Sequence, residues 1–332
     1  MARKQLDSSE YSRDNVERYR KQASRKGVRK SLLVGIVAAL VILLGGTAFA
    51  AVRWYNSINS RLQGTTVDDE ELQAVLSEPT TPSDPYYILL LGTDGRAGEE
   101  DFRADTIILT RVDPVNKRLT MLSIPRDTRV ELDGYGIQKI NAAYAFEGAG
   151  GAVRAVSELC DVGVNHVAVV HLDELAGLVD YLGGVTVNVS ESIYDPEHTG
   201  VSLEAGLQTL TGEQAVAWAR TRYGYATGDF HRQENQRVLL EAIMNRMLSL
   251  SPRQIPGALE HVGDLIGTDL RCYDLVPLFL RFKLVGPQVY SASVPSTTAT
   301  IDGVSYVIAD DAALADMMRI INAGGDPSTS GY

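Results

Sequence analysis

Three short apolar runs, Tyr86–Leu91, Thr106–Val112 and Leu119–Ile124, follow one another within forty residues and constrain the chain more than anything else in it. Each is rich in Ile, Leu, Val and Thr and is bordered by turn-forming residues, so the three read as neighbouring buried β-strands. Charged residues gather where these strands begin or end: Asp94 and Arg96, Arg103 and Asp105, Arg126 and Asp127. One such pair is what a capped sheet would show. Three suit a different task, because carboxylates bind Mg²⁺ and arginine grips phosphate oxygens with two N–H groups at once.

The charge of the rest of the chain is divided. Residues 1–30 carry ten Lys/Arg against four Asp/Glu, which leaves −17 on the remainder of a chain of net charge −11. Ser31–Val52 is then 22 residues without a charge, long enough for a bilayer-spanning helix. The basic preface Arg25–Lys30 predicts a cytoplasmic N-terminus and an acidic, extracytoplasmic bulk. The rival is a cleaved signal peptide ending at Ala48-Phe49-Ala50. The long polar preface and the full-length apolar run favour an anchor, and both readings export the working domain. The organisation expected is a basic tail (1–30), a transmembrane helix (31–52), a proline-stiffened stalk (53–85), a catalytic domain (86–323) and a disordered Gly/Ser/Pro tail (324–332).

Two cysteines, Cys160 and Cys272, permit one disulfide in an oxidising compartment; the alternative is two buried thiols. The five histidines are scattered and no CxxC is present, which excludes a zinc site of ordinary spacing. No GxGxxG or Walker loop points to a soluble nucleotide, and no GxSxG to a serine hydrolase.

Downstream, a glycine-punctuated turn at Gly134–Lys139 precedes a helical run from Ile140 that breaks at Gly148–Gly151 and resumes over Ala152–Cys160. Val167–His171 and Gly184–Val189 read as strands, Leu172–Leu182 as a helix, and Glu191–Leu210 as an irregular loop, functional or merely mobile. Thr211 is placed to cap a helix over Gly212–Ala219. Arg220-Thr221-Arg222 follows. If extended, it puts both guanidinium groups on one face, where they repel unless an anion lies between them. A long helix from Arg232 to Leu250 sets Arg232 and Gln236 four residues apart near its N-terminal, anion-favouring end. Helices over Gln254–Leu265, Tyr273–Phe282 and Asp310–Ile321 and strands near Gln288–Ser293 and Val304–Ile308 complete the core.

The arginines at 96, 103, 126, 220, 222 and 232 make a positive basin on an acidic body, suited to a pyrophosphate or phosphodiester. A membrane-anchored chain places that phosphate on a lipid.

In order, GTDGR (92–96), RADT (103–106), SIPRDT (123–128), KINAAYAFEG (139–148), LVDYLGGVTVNV (178–189), ARTRY (219–223) and DFHRQENQ (229–236) resemble the LytR-CpsA-Psr family of cell-wall ligases over roughly residues 86–250. The resemblance implies a three-layer α/β/α sandwich with a central mixed β-sheet. It implies transfer of a glycopolymer from a polyprenyl-pyrophosphate carrier to the wall, commonly a peptidoglycan muramyl 6-hydroxyl, with Mg²⁺ as cofactor and release of polyprenyl phosphate. By matching positions, Asp94 and Asp105 resemble the metal-binding acids. Arg126, Arg220, Arg222 and Arg232 resemble the pyrophosphate clamp, with Gln236 beside it and Arg96 and Arg103 nearby. Asp127, Lys139, Asn141 and Asp229 stand behind these. Asp94, Asp105 and Asp229 are candidates for the general base. One position departs: the family usually has arginine before that glutamine, and here Asn235 stands there, so either the clamp is weaker or Arg237 compensates.

Three other readings compete. A lipid-pyrophosphate pyrophosphatase would pass the phosphate to water. A regulator would use the basic N-terminus on nucleic acid, although the positive-inside rule already explains those charges and no nucleic-acid partner is expected. A non-catalytic glycan-binding module would be indifferent to loss of Asp105 or Arg126.

Overall fold

The computed structural model describes residues 52–62, 70–78, 81, 83–93, 103–171, 174–221 and 229–331, with no side chains at 229 and 230. Ile58–Tyr332 form one compact unit; of the preceding segment only residues 52–57 are described, as helix. The expected membrane span at 31–52, apart from Val52, and with it Asp94, Arg96 and Arg222, lie outside the described residues. Among those described, no helix is long and apolar enough to cross a membrane.

A six-stranded mixed sheet runs through the centre. Its strands are β1 (Tyr86–Thr93), β2 (Ala104–Asp113), β3 (Arg118–Ser123), β6 (His166–His171), β11 (Ile266–Thr268) and β12 (Gln288–Ser293), in the order β11-β6-β1-β2-β3-β12. β1 pairs antiparallel with β2 and β2 with β3, while β6 lies parallel to β1 and β12 parallel to β3. Four strands therefore point one way and end on one edge. The three runs singled out in the sequence are adjacent in the sheet, each near its expected bounds.

Both faces of the sheet are covered, which is why its strands read as continuous apolar runs rather than alternating ones. Odd residues of β1 (Tyr87, Leu89, Leu91) pack with Leu72 of α2 (Glu70–Val75), Val153 and Val156 of α3 (Ala142–Cys160), and Leu314 and Met317 of α9 (Asp311–Asn322). On the other face Ile88 and Ala168 meet Phe282 of α8 (Cys272–Val285). Beyond it lies the core of α4 (Leu175–Tyr181), α5 (Gly212–Arg220), α6 (Asp229–Ser249) and α7 (Ile255–Leu265), centred on Trp218 and Leu239. This is the three-layer α/β/α arrangement with a central mixed sheet.

The α3 run bends where the sequence breaks it: Gly148 takes φ 58°, ψ −151°, a conformation that costs glycine least. Thr211 caps α5 through a reciprocal capping box with Gln214.

Several expectations need revision. Gly134–Lys139 is one arm of a β-hairpin, β4 (Arg129–Leu132) with β5 (Gly136–Lys139). The irregular loop over 191–210 contains β8 (Ile193–Asp195) paired with β9 (Val201–Leu203), and β10 (Gly206–Leu210) paired with β7 (Val185–Val189). A further hairpin joins β13 (Ser296–Ile301) and β14 (Val304–Ala309). Part of the expected stalk belongs to the compact unit, since Ile58, Leu62 and Leu72 are buried in it. The tail is ordered as far as residue 331, with a 3-10 turn at Pro327–Ser330 and Arg118 donating to the Gly324 carbonyl at 2.8 Å. Finally, the permitted disulfide is absent. Cys160 and Cys272 are free, buried thiols, Cys160 in the core under α3 and Cys272 opening α8 on the opposite face of the sheet.

Candidate active site

The site forms at the edge where β1 and β3 end and β2 begins, the edge at which open α/β sheets bind ligands. Gly92 pairs with Thr106, but the next residue, Thr93, pairs with Ala104. Asp105 is therefore left over in a β-bulge, a device that re-aims a side chain. The phase change is visible in the packing. Ile107 and Leu109 face the α3 core, and Ala104, an even-numbered residue, faces it too. Gly92 is required opposite the bulge, because a Cβ there would lie 2.7 Å from the Cβ of Thr106.

Asp105 Oδ1 meets Arg126 Nη1 at 2.7 Å, both side chains about one-fifth exposed. Arg126 sits in a tight turn in which Thr128, fully buried, donates both N–H and hydroxyl to the Pro125 carbonyl (2.9 and 2.6 Å). The Asn141 N–H donates to the Arg126 carbonyl and pins the turn from outside. Arg126 Nε is 3.7 Å from Asp127 Oδ2, and Asp127 Oδ1 is 2.9 Å from Lys139 Nζ, which the β4–β5 hairpin carries back to this turn. Asp105, Arg126, Asp127 and Lys139 thus alternate in charge along one chain of contacts. Isolated surface pairs contribute little, but a partly buried, geometrically fixed chain holds its members in place.

The second wall comes from α5 and α6. Arg232 is 2% exposed and directs Nη2 towards the Asp105 carbonyl at 3.4 Å. Asn235 Nδ2 donates to the Trp218 carbonyl and Gln236 Nε2 to the Ala219 carbonyl, at 3.4 and 3.3 Å. The Trp218 carbonyl also takes the Thr221 N–H, so the two amides add to the backbone cap at the last turn of α5 and fix the end from which Arg220 projects. Thr221, directly after it, is extended (φ −65°, ψ 126°), and its hydroxyl donates to the Ala217 carbonyl. The same hydroxyl lies 3.1 Å from that of Thr199, which in turn bonds Asp195 and ties the β8–β9 hairpin to the site.

Among the predicted residues, the structure brings together Asp105, Arg126, Asp127, Lys139, Asn141, Arg232 and Gln236. Arg103 is exposed at the start of β2, and Arg220 is half-buried at the end of α5. Asp229 opens α6 with its side chain outside the description. Arg237 does not replace an arginine at 235: it turns away to the Ala292 carbonyl and Ser293 Oγ (3.2 and 2.6 Å). The helix-tying role of Asn235 and the hydroxyls of Thr106, Thr128 and Thr221 were not singled out from sequence, since each depends on a partner distant along the chain.

Behind the charges lies a narrow apolar cavity of about 40 Å³. Leu90, Ile108 and Val170 of the sheet form one wall, Ala219, Leu239 and Leu240 of the helices the other. Thr106 and Gln236 line it as well, next to the charged residues. Thr106 Oγ1, Gln236 Oε1 and Asn141 Oδ1 are buried and take no hydrogen bond among the described residues. Together with the Asp105 carboxylate they supply hard oxygen donors, the chemistry Mg²⁺ selects. Among the described residues no three acidic, His or Cys side chains converge on one point.

The LytR_cpsA_psr family model matches residues 52–323. A polyisoprenyl-teichoic acid–peptidoglycan teichoic acid transferase, TagU of Enterococcus faecalis, is 33% identical over 293 residues, 87% of this chain and 94% of that protein. TagU of Bacillus subtilis is 30% identical over 304 residues, 89% and 96% of the two chains. The structure of TagT bound to LIIa-WTA superposes with a TM-score of 0.65 at 27% identity, covering 78% of this chain and 99% of that one. With the family model spanning most of its length, and relatives of this identity matched nearly end to end, the chain belongs to the LytR-CpsA-Psr family.

Proposed function

We propose that the protein is a phosphotransferase that moves a glycopolymer from a polyprenyl-pyrophosphate carrier onto peptidoglycan, at a muramyl 6-hydroxyl, from a site held outside the membrane by the apolar segment 31–52. The observation that carries this reading is the junction of two unlike surfaces. Asp105, Arg126 and the buried Arg232 converge at one end of an apolar cavity, which matches a ligand with a pyrophosphate at one end and a hydrocarbon chain at the other. The teichoic acid transferases among its relatives are named for such a donor and acceptor.

In this reaction the acceptor oxygen bonds to the glycan-side phosphorus. The bond from that phosphorus to the bridging oxygen breaks, the electron pair leaves with polyprenyl monophosphate, and the hydroxyl proton is released. Arg126, Arg220 and Arg232, joined on the family resemblance by Arg222, Arg96 and Arg103, balance the charge that gathers on the phosphoryl oxygens. The guanidinium groups of Arg126, Arg220 and Arg232 act with little reorganisation because the bulge, the turn and the α5–α6 contacts already hold the backbone that carries them. Asp105, with Asp94, would hold Mg²⁺, whose contribution when bound is to neutralise the pyrophosphate oxygens. Asp127 and Lys139 keep Arg126 in register.

The test uses the full chain, a polyprenyl-pyrophosphate-linked oligosaccharide and peptidoglycan fragments, with and without Mg²⁺, read by mass spectrometry of the glycan product. Covalent transfer that needs the acceptor, Mg²⁺ and Arg126 is the expected result. Acceptor-independent release of phosphate would identify a pyrophosphatase instead. Unchanged wall assembly after Asp105→Ala would leave a binding protein.

A further inference from the structure

The outer face of α8 is apolar and uncovered. Tyr273, Pro277, Leu280 and Leu284 recur every three or four residues and so form a single stripe. Tyr273 is 56% exposed, Leu280 46% and Leu284 84%, with Val285 at 61% beside them. The opposite face, carrying Leu275, Leu278 and Phe282, is the one that packs on the sheet, so the stripe is surplus to the core. Side chains of this size exposed in a row mark a contact surface. The flanking charges are chiefly basic: Arg271 and Arg281 are exposed, and Asp274 is engaged in capping α8 through the Arg271 N–H. Lys283 is not available, since its ammonium donates to the Leu248 and Leu250 carbonyls.

Two further observations say what covers this face. The chain enters the compact unit at Ile58, and at the very next residue Asn59 Oδ1 accepts the N–H of Cys272, the first residue of α8, at 3.3 Å. The compact unit therefore begins beside the start of α8, and in the sequence five residues separate its first residue from the uncharged run 31–52. In addition, α8 and the apolar cavity share one face of the sheet. Along β1, Ile88 lies under α8, Leu90 lines the cavity, and Gly92 reaches the charged end.

We infer that the exposed stripe of α8 is a membrane-docking surface that beds into the headgroup region of an anionic phospholipid bilayer. Leu280, Leu284 and Val285 enter the interface, and Arg271 and Arg281 meet lipid phosphates, as an amphipathic helix does when it lies in the plane of a membrane. The inference rests on the membrane-anchored reading above and adds an orientation to it: the hydrocarbon end of the substrate path, not its charged end, faces the lipid.

The test is depth-dependent quenching on the full chain reconstituted in phosphatidylglycerol/phosphatidylethanolamine vesicles. An environment-sensitive fluorophore is attached at Leu284→Cys, and in a second protein at Thr298→Cys, an exposed position on β13. The parent chain is the labelling blank, because Cys160 and Cys272 are buried. Expected is blue-shifted emission at 284, quenched severalfold more by brominated lipid chains than emission at 298. Equal quenching at both positions overturns the inference. So does a blue shift at 284 that brominated lipid leaves untouched, which would mean that a second copy of the chain covers α8. Alkaline carbonate extraction of the same vesicles tests the 31–52 anchor separately: release of the chain refutes the anchor, while quenching at 284 still decides the docking surface.

Discussion

Arg126 and Asp105 meet at 2.7 Å although one belongs to a turn after β3 and the other to a bulge at the start of β2. The pair exists because Asp105 has dropped out of the sheet register at Gly92–Thr93 and faces the turn. Its geometry uses two of the guanidinium's nitrogens, Nη1 towards Asp105 and Nε towards Asp127. Lysine offers no such fork. Arg126→Lys is expected to keep the fold, by circular dichroism, and to lower the transfer rate about 10²–10³-fold, the range seen when one preorganised charge-stabilising donor is lost.

Gly92→Ala tests the bulge itself. The added methyl would press on Thr106, whose Cβ is 2.7 Å away within a paired strand that cannot easily yield. The expected cost is about 1–3 kcal/mol in urea unfolding, as for other overpacked sites. Activity should fall further than stability alone predicts, because Asp105 moves with Thr106.

Asn235→Leu keeps the volume roughly and removes one of two donors to the Trp218 carbonyl, which keeps the Thr221 N–H. The expected cost is that of a single hydrogen bond, about 0.5–1.5 kcal/mol in urea unfolding. A loss of transfer activity accompanied by unchanged Mg²⁺ dependence is expected if the effect passes through Arg220 at the end of α5, and steady-state rates across a Mg²⁺ titration check it.

Acid sensitivity should come from two carboxylates outside the charged cluster of Asp105, Arg126, Asp127 and Lys139. Burial pushes Asp113 upward, but hydrogen bonds from Asn116 and the nearby Arg111 outweigh it and hold the carboxyl below its ordinary value. Asp195 behaves alike, with His198 and Thr199 overcoming burial. A depressed folded value means the stabilisation is present above the unfolded pKa, about 3.9, and drains away as pH falls through the folded one. Urea midpoints should therefore be flat from pH 7 to 5 and drop below about pH 4. Asp113→Asn should start lower and show a shallower drop.

How much of this was legible beforehand depended on partners. β1, β2 and β3 are buried on both faces, so their residue types alone revealed them, and the charged residues at their ends marked the site. The β4 hairpin arm, Arg129–Leu132, is four residues long with one buried residue, and β8 and β9 are three residues each. Runs so short are below what a period of two can resolve. The bulge at Asp105 has no signature of its own, since it is defined by which residue of β1 stands opposite. Arg237 looked like a substitute for the arginine missing at 235, and one helical residue step sent it to Ser293 instead. The disulfide expectation counted thiols, while the sheet between Cys160 and Cys272 decided the matter.

Two sets of charges carried by different parts of the fold meet at one end of the apolar cavity, where Arg232 reaches the Asp105 carbonyl. Asp105, Arg126 and Lys139 ride on the strands and their turns, whereas Arg220 and Arg232 ride on two helices joined by Asn235 and Gln236. Leu90 on the sheet and Leu239 on the helices line the cavity behind that meeting point, so the layer that carries one set of charges packs on the layer that carries the other through the cavity walls. On the proposed reaction, a donor with a truncated hydrocarbon chain is expected to be a poorer substrate even with its pyrophosphate intact, because it would leave those apolar walls uncovered.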